Sequence, residues 1–288
     1  MKIGITATSS ADLPIETLKE LDIDIIHFHI EKNGETFFDN DYSVKELFEF
    51  TNKTKIMCHT AAPNIAEYEE FFAKELEKYD EIIHITMSKA LSSCYDNACF
   101  VAKDNPRIKV IDSLSSGGGT ALLVKYAVNL KNAGYTSDEI YELVTKRVPF
   151  ASTSLVIKDM NYLYRGGRCS GIKYLFSKLL NLRPEIQTNE HGQLVVGKIY
   201  RGNSNKCIRK YVEDRLNKYE KIDKTEAIIN ASTYDDSFIE ELTAYLYEKG
   251  FKKVSFNPSS PTNSYHAGPE VIGVMFLFDG EHEIKNKH

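Results

Sequence analysis

Short apolar runs alternate with helical spacings through the first half of the chain. Ile3 and Ile5 open a strand, the polar stretch Thr8-Ser9-Ser10-Ala11-Asp12 follows, and a short helix is predicted near Ile15–Leu21. Ile23, Ile25, Phe28 and Ile30 predict a second extended stretch. Pro63 is placed to start a helix, because its fixed φ suits a first turn that has no use for its missing N–H, and Ile65, Tyr68, Phe72 and Leu76 recur behind it at helical spacing. Glu81–Thr86 reads as a strand, Met87–Ser93 as a loop, and a helix runs through Ala98 and Val101. Val110-Ile111 is a buried strand ending in Asp112-Ser113-Leu114-Ser115-Ser116-Gly117-Gly118-Gly119. The next helix stops at Gly134, and Thr136 with Glu139 forms a capping box for another. Strands alternating with helices predict right-handed βαβ units and a parallel sheet, with the strand C-termini as the ligand edge.

Beyond about residue 150 the pattern changes. Arg165-Gly166-Gly167-Arg168 interrupts it, and an apolar segment runs from Tyr174 to Leu182. Glu185–Gln187 and Leu194–Tyr200 flank His191-Gly192 as a hairpin. A helix near Lys206–Tyr219, a strand at Ala227–Ala231, a helix near Ser237–Lys249 and a strand at Val271–Phe278 complete the chain before a polar tail. The expectation is an α/β protein of two domains: residues 1–150 mostly parallel, and residues 151–288 α+β with a more antiparallel sheet.

Composition narrows the function classes. With 42% hydrophobic and 27% charged residues over 288 positions, the chain is globular and large enough to fold without staples. A net charge of −5 argues against a nucleic-acid protein, and no apolar run approaches the roughly 20 residues of a membrane span. The opening residues read as a strand rather than a signal peptide, so the expected location is cytoplasmic. Cys58, Cys94, Cys99, Cys169 and Cys207 contain no C-x-x-C pair and read as small, buried or half-buried thiols. His27 and His29 share a strand face, but no carboxylate or thiol stands beside them at ligand spacing, and no metal is expected.

Motifs for dinucleotides, P-loop phosphates, zinc proteases and the hydrolase nucleophile elbow are absent. Gly117-Gly118-Gly119 fits either close approach of a ligand to the backbone or a tight strand-to-helix turn. Three polar clusters fall at strand-to-helix junctions: Thr60-Ala61-Ala62-Pro63, Ser88-Lys89-Ala90-Leu91-Ser92-Ser93, and His266-Ala267-Gly268-Pro269. Hydroxyls at helix starts suit an anion, yet Ser92 and Ser93 are equally ordinary N-caps and His266 could be structural. An enzyme alternative, a small-molecule hydrolase or acyl transferase, would use Ser92 or Ser113 as nucleophile with His266 as base, but lacks an evident third member.

Taken together and in order, the clusters resemble the DegV family. Ser9-Ser10-Ala11-Asp12-Leu13-Pro14 is similar to that family's S-T-x-D-L-P, and Thr60-Ala61-Ala62-Pro63 to T-S-Q-P. Leu91-Ser92-Ser93-Cys94-Tyr95 parallels L-S-G-T-Y, and Val110-Ile111-Asp112-Ser113 parallels V-x-D-S. The stretch Tyr162 to Ser170 is close to Y-L-x-x-G-G-R-I-S, and His266-Ala267-Gly268-Pro269 to H-x-G-P. The chain departs from the pattern at Thr8, Ala61, Ala62 and Ser93. The resemblance implies a bacterial fatty-acid-binding protein with the two-domain EDD fold. One long-chain fatty acid would lie in an apolar tunnel between the domains, its carboxylate on Thr60, Ser92 and His266 with at least a backbone N–H from Ser93. It further implies no cofactor and no catalysis by this chain, which would act as the binding subunit of a fatty-acid kinase whose catalytic subunit is a separate protein. Arg165 and Arg168 read either as a structural turn or as a docking point for that kinase.

Overall fold

The computed structural model describes residues 1–56, 58–151, 153–170 and 182–287. Apart from Leu182, the apolar segment expected from Tyr174 lies outside them. The chain begins with β1 (Ile3–Thr8), α1 (Ile15–Glu20), β2 (Ile23–Ile26), β3 (His29–Lys32) and β4 (Glu35–Phe38). There follow α2 (Val44–Thr54), β5 (His59–Ala61), α3 (Ile65–Lys78), β6 (Glu81–Thr86), α4 (Cys94–Ala102) and β7 (Ile108–Asp112). The strands form a parallel sheet in the order β2-β1-β6-β7 and a small antiparallel sheet in the order β4-β3-β5. The extended stretch expected over Ile23–Ile30 is therefore two strands serving two sheets.

Two helices connect the halves, α5 (Gly118–Asn132) and α6 (Ser137–Arg147). Every residue of α5 from Gly118 to Val128 is buried. A helix apolar on all sides needs cover on all sides. Here Leu123 and Ala127 join one core with Ile5, Ile85 and Ile111 of the parallel sheet and with Ile228 and Met275 of the later one. The capping box expected at Thr136 and Glu139 is formed.

The remainder comprises β8 (Ser154–Val156), α7 (Met160–Gly166), β9 (Cys169–Ser170), β10 (Leu182–Thr188), β11 (Leu194–Arg201), α8 (Ser204–Lys218) and β12 (Ala227–Ala231). It closes with α9 (Asp236–Glu248), β13 (Val254–Pro258), α10 (Pro261–Ala267) and β14 (Ile272–Met275). Its seven strands form one mixed sheet, β13-β12-β14-β8-β10-β11-β9, in which β10 and β11 are the expected hairpin. Among the described residues only β12–β13 and β11–β9 pair in parallel, so this half is predominantly antiparallel.

Three local expectations are corrected. Pro63 does not begin a helix: Asn64 caps α3, accepting from Glu67 N at 3.1 Å while Glu67 accepts from Asn64 N at 2.8 Å. That reciprocal box satisfies two otherwise unpaired N–H groups, which proline at the first position does not. The last strand is shorter than expected, with Leu277 in an isolated bridge to Ala151. Finally, His266 stands in the last turn of α10 rather than at a helix start. Ser260 and Pro261 supply the start, and Gly268 ends the helix at φ +89°.

Candidate functional site

A largely apolar cavity of about 90 Å³ lies between the two halves. Phe28, Met87 and Leu91 line it from the first half, and Leu155, Leu163 and Ile186 from the second. Thr60, Ser92, His266 and Arg168 also border it. Thr60 Oγ1 and His266 Nε2 stand 2.7 Å apart across 206 residues of sequence. The imidazole, packed among protein atoms and near the Arg168 guanidinium, is pushed down to about 4, so it is neutral at pH 7. With Nε2–H donating to Thr60 Oγ1, the Thr60 hydroxyl proton is left to meet an anion in the cavity.

The serine cluster resolves unequally. Ser92 Oγ accepts from Cys94 N at 3.3 Å and lines the cavity, combining capping with access to the site. Ser93 directly precedes α4 but is exposed, makes no side-chain capping bond, and lies outside the cavity lining. Gly117 sits at the cavity wall with φ +57°, where a Cβ would stand 2.5 Å from Asn230 Oδ1. Both readings of the glycine run thus hold at this one residue: it makes the strand-to-helix turn and it borders the cavity.

What holds His266 in place is α10 as a whole, tied to the first half along its length. Thr262 Oγ1 donates to Asp39 Oδ2 at 2.9 Å, and Asn263 Nδ2 donates to Asp12 Oδ1 at 2.8 Å. Tyr265 Oη accepts from Cys58 N at 2.5 Å. Asp39 is buried, also accepting from Ser9 Oγ at 2.7 Å and pairing with His27 Nδ1 at 2.8 Å. Asp12 gathers Asn263, Ser260 N and Asn230 Nδ2, yet burial outweighs these bonds and lifts its carboxyl to about 6. Asp39, Thr262, Asn263 and Tyr265 were not marked by sequence reading. The one local signal available was the Ser260-Pro261 helix start, which would have placed Thr262, Asn263 and Tyr265 on a short helix leading into His266.

Other candidates are separated by the structure. Arg168 borders the cavity and its Nη1 donates to Gly166 O at 2.5 Å. Arg165 is exposed on a different hollow shared with Thr51, Asp159 and Tyr162. Gly167 ends α7 at φ +68°, so the Gly-Gly pair is a helix-terminating turn, while among the described residues neither guanidinium is paired with a carboxylate. His27 and His29 point to different carboxylates, Asp39 and Glu67. The hydrolase arrangement with Ser113 as nucleophile is not assembled. Ser113 is fully buried and bonded to Thr120 Oγ1 at 2.9 Å, His266 Nε2 is engaged by Thr60, and the Nδ1 edge lies against Gly166.

Comparison with known proteins agrees with this architecture. A family model described as "Uncharacterised protein, DegV family" matches residues 2–279. A DegV domain-containing protein of Caldanaerobacter subterraneus subsp. tengcongensis is 30% identical over 280 residues, covering 96% of this chain and 98% of its own. Among solved structures, a fatty-acid-binding DegV family protein from Thermus thermophilus superposes with a TM-score of 0.84 at 20% identity, covering 96% of this chain and 100% of that one. A DegV family protein from Ruminococcus gnavus, refined with vaccenic acid, gives a TM-score of 0.84 at 19% identity, covering 96% and 99%. No helix among the described residues is long and apolar enough to cross a membrane.

Proposed function

Because the chain belongs to the DegV family, we propose that it binds one long-chain fatty acid in the cavity between its two halves, taken as domains 1–150 and 151–288. The carboxylate is held by Thr60, Ser92 and His266, with at least a backbone N–H from Ser93. The observation that carries this reading is the 2.7 Å approach of Thr60 to His266 at the border of an apolar cavity that Ser92 also lines. Solved DegV proteins of the same fold described as fatty-acid-binding support it. Each buried methylene contributes about 0.8 kcal/mol, so a long acyl tail gains on the order of 10 kcal/mol before the costs of association. The polar groups then have only to orient the carboxylate and offset its desolvation. His266 serves as a hydrogen-bond donor to the carboxylate, its own tendency to charge lowered by burial.

In this reading the chain is a lipid-binding subunit, and a separate ATP-binding protein phosphorylates the presented carboxylate. Arg168, at the cavity and unpaired with any described carboxylate, is the better docking candidate of the two arginines; Arg165 faces elsewhere. Arg168→Ala then leaves fatty-acid binding unchanged and lowers acyl-phosphate formation through weaker kinase association. Loss of fatty acid, or undiminished association, removes that role. The central claim is tested by native mass spectrometry of protein purified from a heterologous host. An added mass equal to one fatty acid is expected, and a clean unliganded mass in the presence of lipid overturns the assignment.

A further inference from the structure

Gly166 and Gly167 stand side by side, but their surroundings differ. Gly167 terminates α7 at φ +68°, and a Cβ built on it meets nothing within 4 Å. Its requirement is conformational. Gly166 has ordinary helical geometry and needs no special φ, yet a Cβ there would lie 2.5 Å from His266 Nδ1 and 3.4 Å from Cε1. Ordinary contacts to a Cβ begin near 3.4 Å, so the imidazole occupies the space where any other residue would carry its side chain.

The ring is also held from its far side. Its opposite edge is engaged through Nε2 with Thr60 at 2.7 Å, and an imidazole is planar and rigid, so a displacement of Nδ1 is carried to Nε2. The backbone beneath it is held as well. Gly268, two residues on, packs against the Tyr162 ring of α7, and the rings of Tyr162 and Tyr265 meet edge to face at 6.2 Å between centroids. Helices α7 and α10 therefore cannot separate by the ångström that an added methyl needs without disturbing these contacts.

We infer that Gly166 is a positioning residue for His266: by withholding a side chain it seats the imidazole edge that aims Nε2 at Thr60 and the head-group end of the cavity. This rests on the reading that His266 meets the ligand carboxylate. It separates the two glycines by role, one ending a helix and the other seating a ring.

The experiment is a double-mutant cycle of Gly166→Ala and His266→Ala, read by titration with cis-parinaric acid, a fluorescent C18 fatty acid, and by ¹⁵N NMR of the histidine rings without ligand. Alanine is the better helix residue, so Gly166→Ala removes nothing the backbone of α7 needs. Each single variant is expected to weaken parinarate binding by about 10- to 100-fold, the range for losing an oriented polar contact. The double variant should bind no more weakly than His266→Ala alone, because without the ring the methyl has nothing to displace. The His266 ring signals should shift in Gly166→Ala, while Gly167→Asn, which tolerates a left-handed φ, leaves both signals and affinity as they were. Should Gly166→Ala fail to fold, folding of the double variant supports the steric conflict with His266, and failure of both overturns it. Additive losses, or unchanged His266 signals in Gly166→Ala, also overturn it. If His266→Ala binds parinarate normally, the head-group reading falls by itself, and the NMR comparison still decides the Gly166–His266 contact.

Discussion

Replacing Arg147 with alanine tests how the two halves are fastened together away from the cavity. The guanidinium, 3% exposed at the end of α6, donates to Asp279 through Nε at 3.1 Å and Nη2 at 2.7 Å, and to Asp223 through Nη2 at 2.8 Å. It also lies 4.6 Å from the centre of the Tyr126 ring. Burial alone would raise the Asp223 carboxyl, but hydrogen bonds from Thr225 and Arg147 bring it below the usual value. Arg147→Ala leaves two largely buried carboxylates facing a hole, for which breaking a buried ion pair costs about 3–5 kcal/mol. Against a total stability of roughly 5–15 kcal/mol this is a large fraction, visible as a Tm loss of about 6–10 °C.

The sign of the pH dependence is a stricter check than the size. In the native protein the depressed Asp223 contributes stability that is present above its unfolded value near 3.8 and is lost as pH falls through its folded value. Without Arg147, burial dominates and the carboxylate is better tolerated protonated, so the deficit is greatest near pH 7.5 and shrinks toward pH 4.5. Urea unfolding at both pH values measures it. Arg147→Lys, keeping the charge but not the fork, should lose about 1–2 kcal/mol, since one ammonium cannot reproduce the bidentate contact. A loss below about 1 kcal/mol for the alanine variant, or one equal at both pH values, would refute the ion-pair account.

Three further outcomes follow from the same geometry. His84 is buried against Tyr68, Phe71 and Phe72, and burial pushes it down to about 3; its stabilising effect is complete above its ordinary 6.5 and declines as pH falls toward 3. His84→Asn, which does not titrate, should therefore flatten the loss of stability between pH 6.5 and 4 in urea titrations, and an unchanged slope counts against this. Asp12, raised to about 6, contributes stability that is complete below 3.8 and lost as pH rises through 6, so Asp12→Asn should cost more at pH 5 than at pH 8, by about 1–3 kcal/mol at the lower value. Thr60→Val keeps the shape but removes the partner of His266, and parinarate affinity should fall about 5- to 20-fold while Thr60→Ser retains it; equal binding by both would detach Thr60 from the site.

What could be read ahead of the structure was whatever a short stretch of chain determines. The strands of the parallel sheet, the Thr136–Glu139 box and the β10–β11 hairpin each carry their signal within a few residues, and each formed. Helix α2 carries an equally local box, with Ser43 and Glu46 capping each other, and a stripe of Val44, Leu47, Phe48 and Thr51 at helical spacing, two local signals that sequence reading passed over. At α10 the reading placed the cluster His266-Ala267-Gly268-Pro269 at a strand-to-helix junction and so reversed the end of the helix on which the histidine stands.

The site itself was legible in a different way, through the order of motifs and not through spacing. Thr60 and His266 carry no local mark of belonging together. Their distance is set by contacts such as Thr262 with Asp39 and Asn263 with Asp12, each closing more than 200 residues of chain. No periodicity encodes such a closure, because it depends on α5 being sheathed by both sheets and on the mixed sheet returning α10 to the first half. The same argument explains why the role of Gly166 could not be read from its neighbours in sequence. A glycine's local signature is conformational freedom, and at Gly167 that is what the fold uses. At Gly166 the fold uses only the missing Cβ, and the atom that fills its place belongs to a helix 100 residues further along, which becomes visible only when α7 and α10 have met.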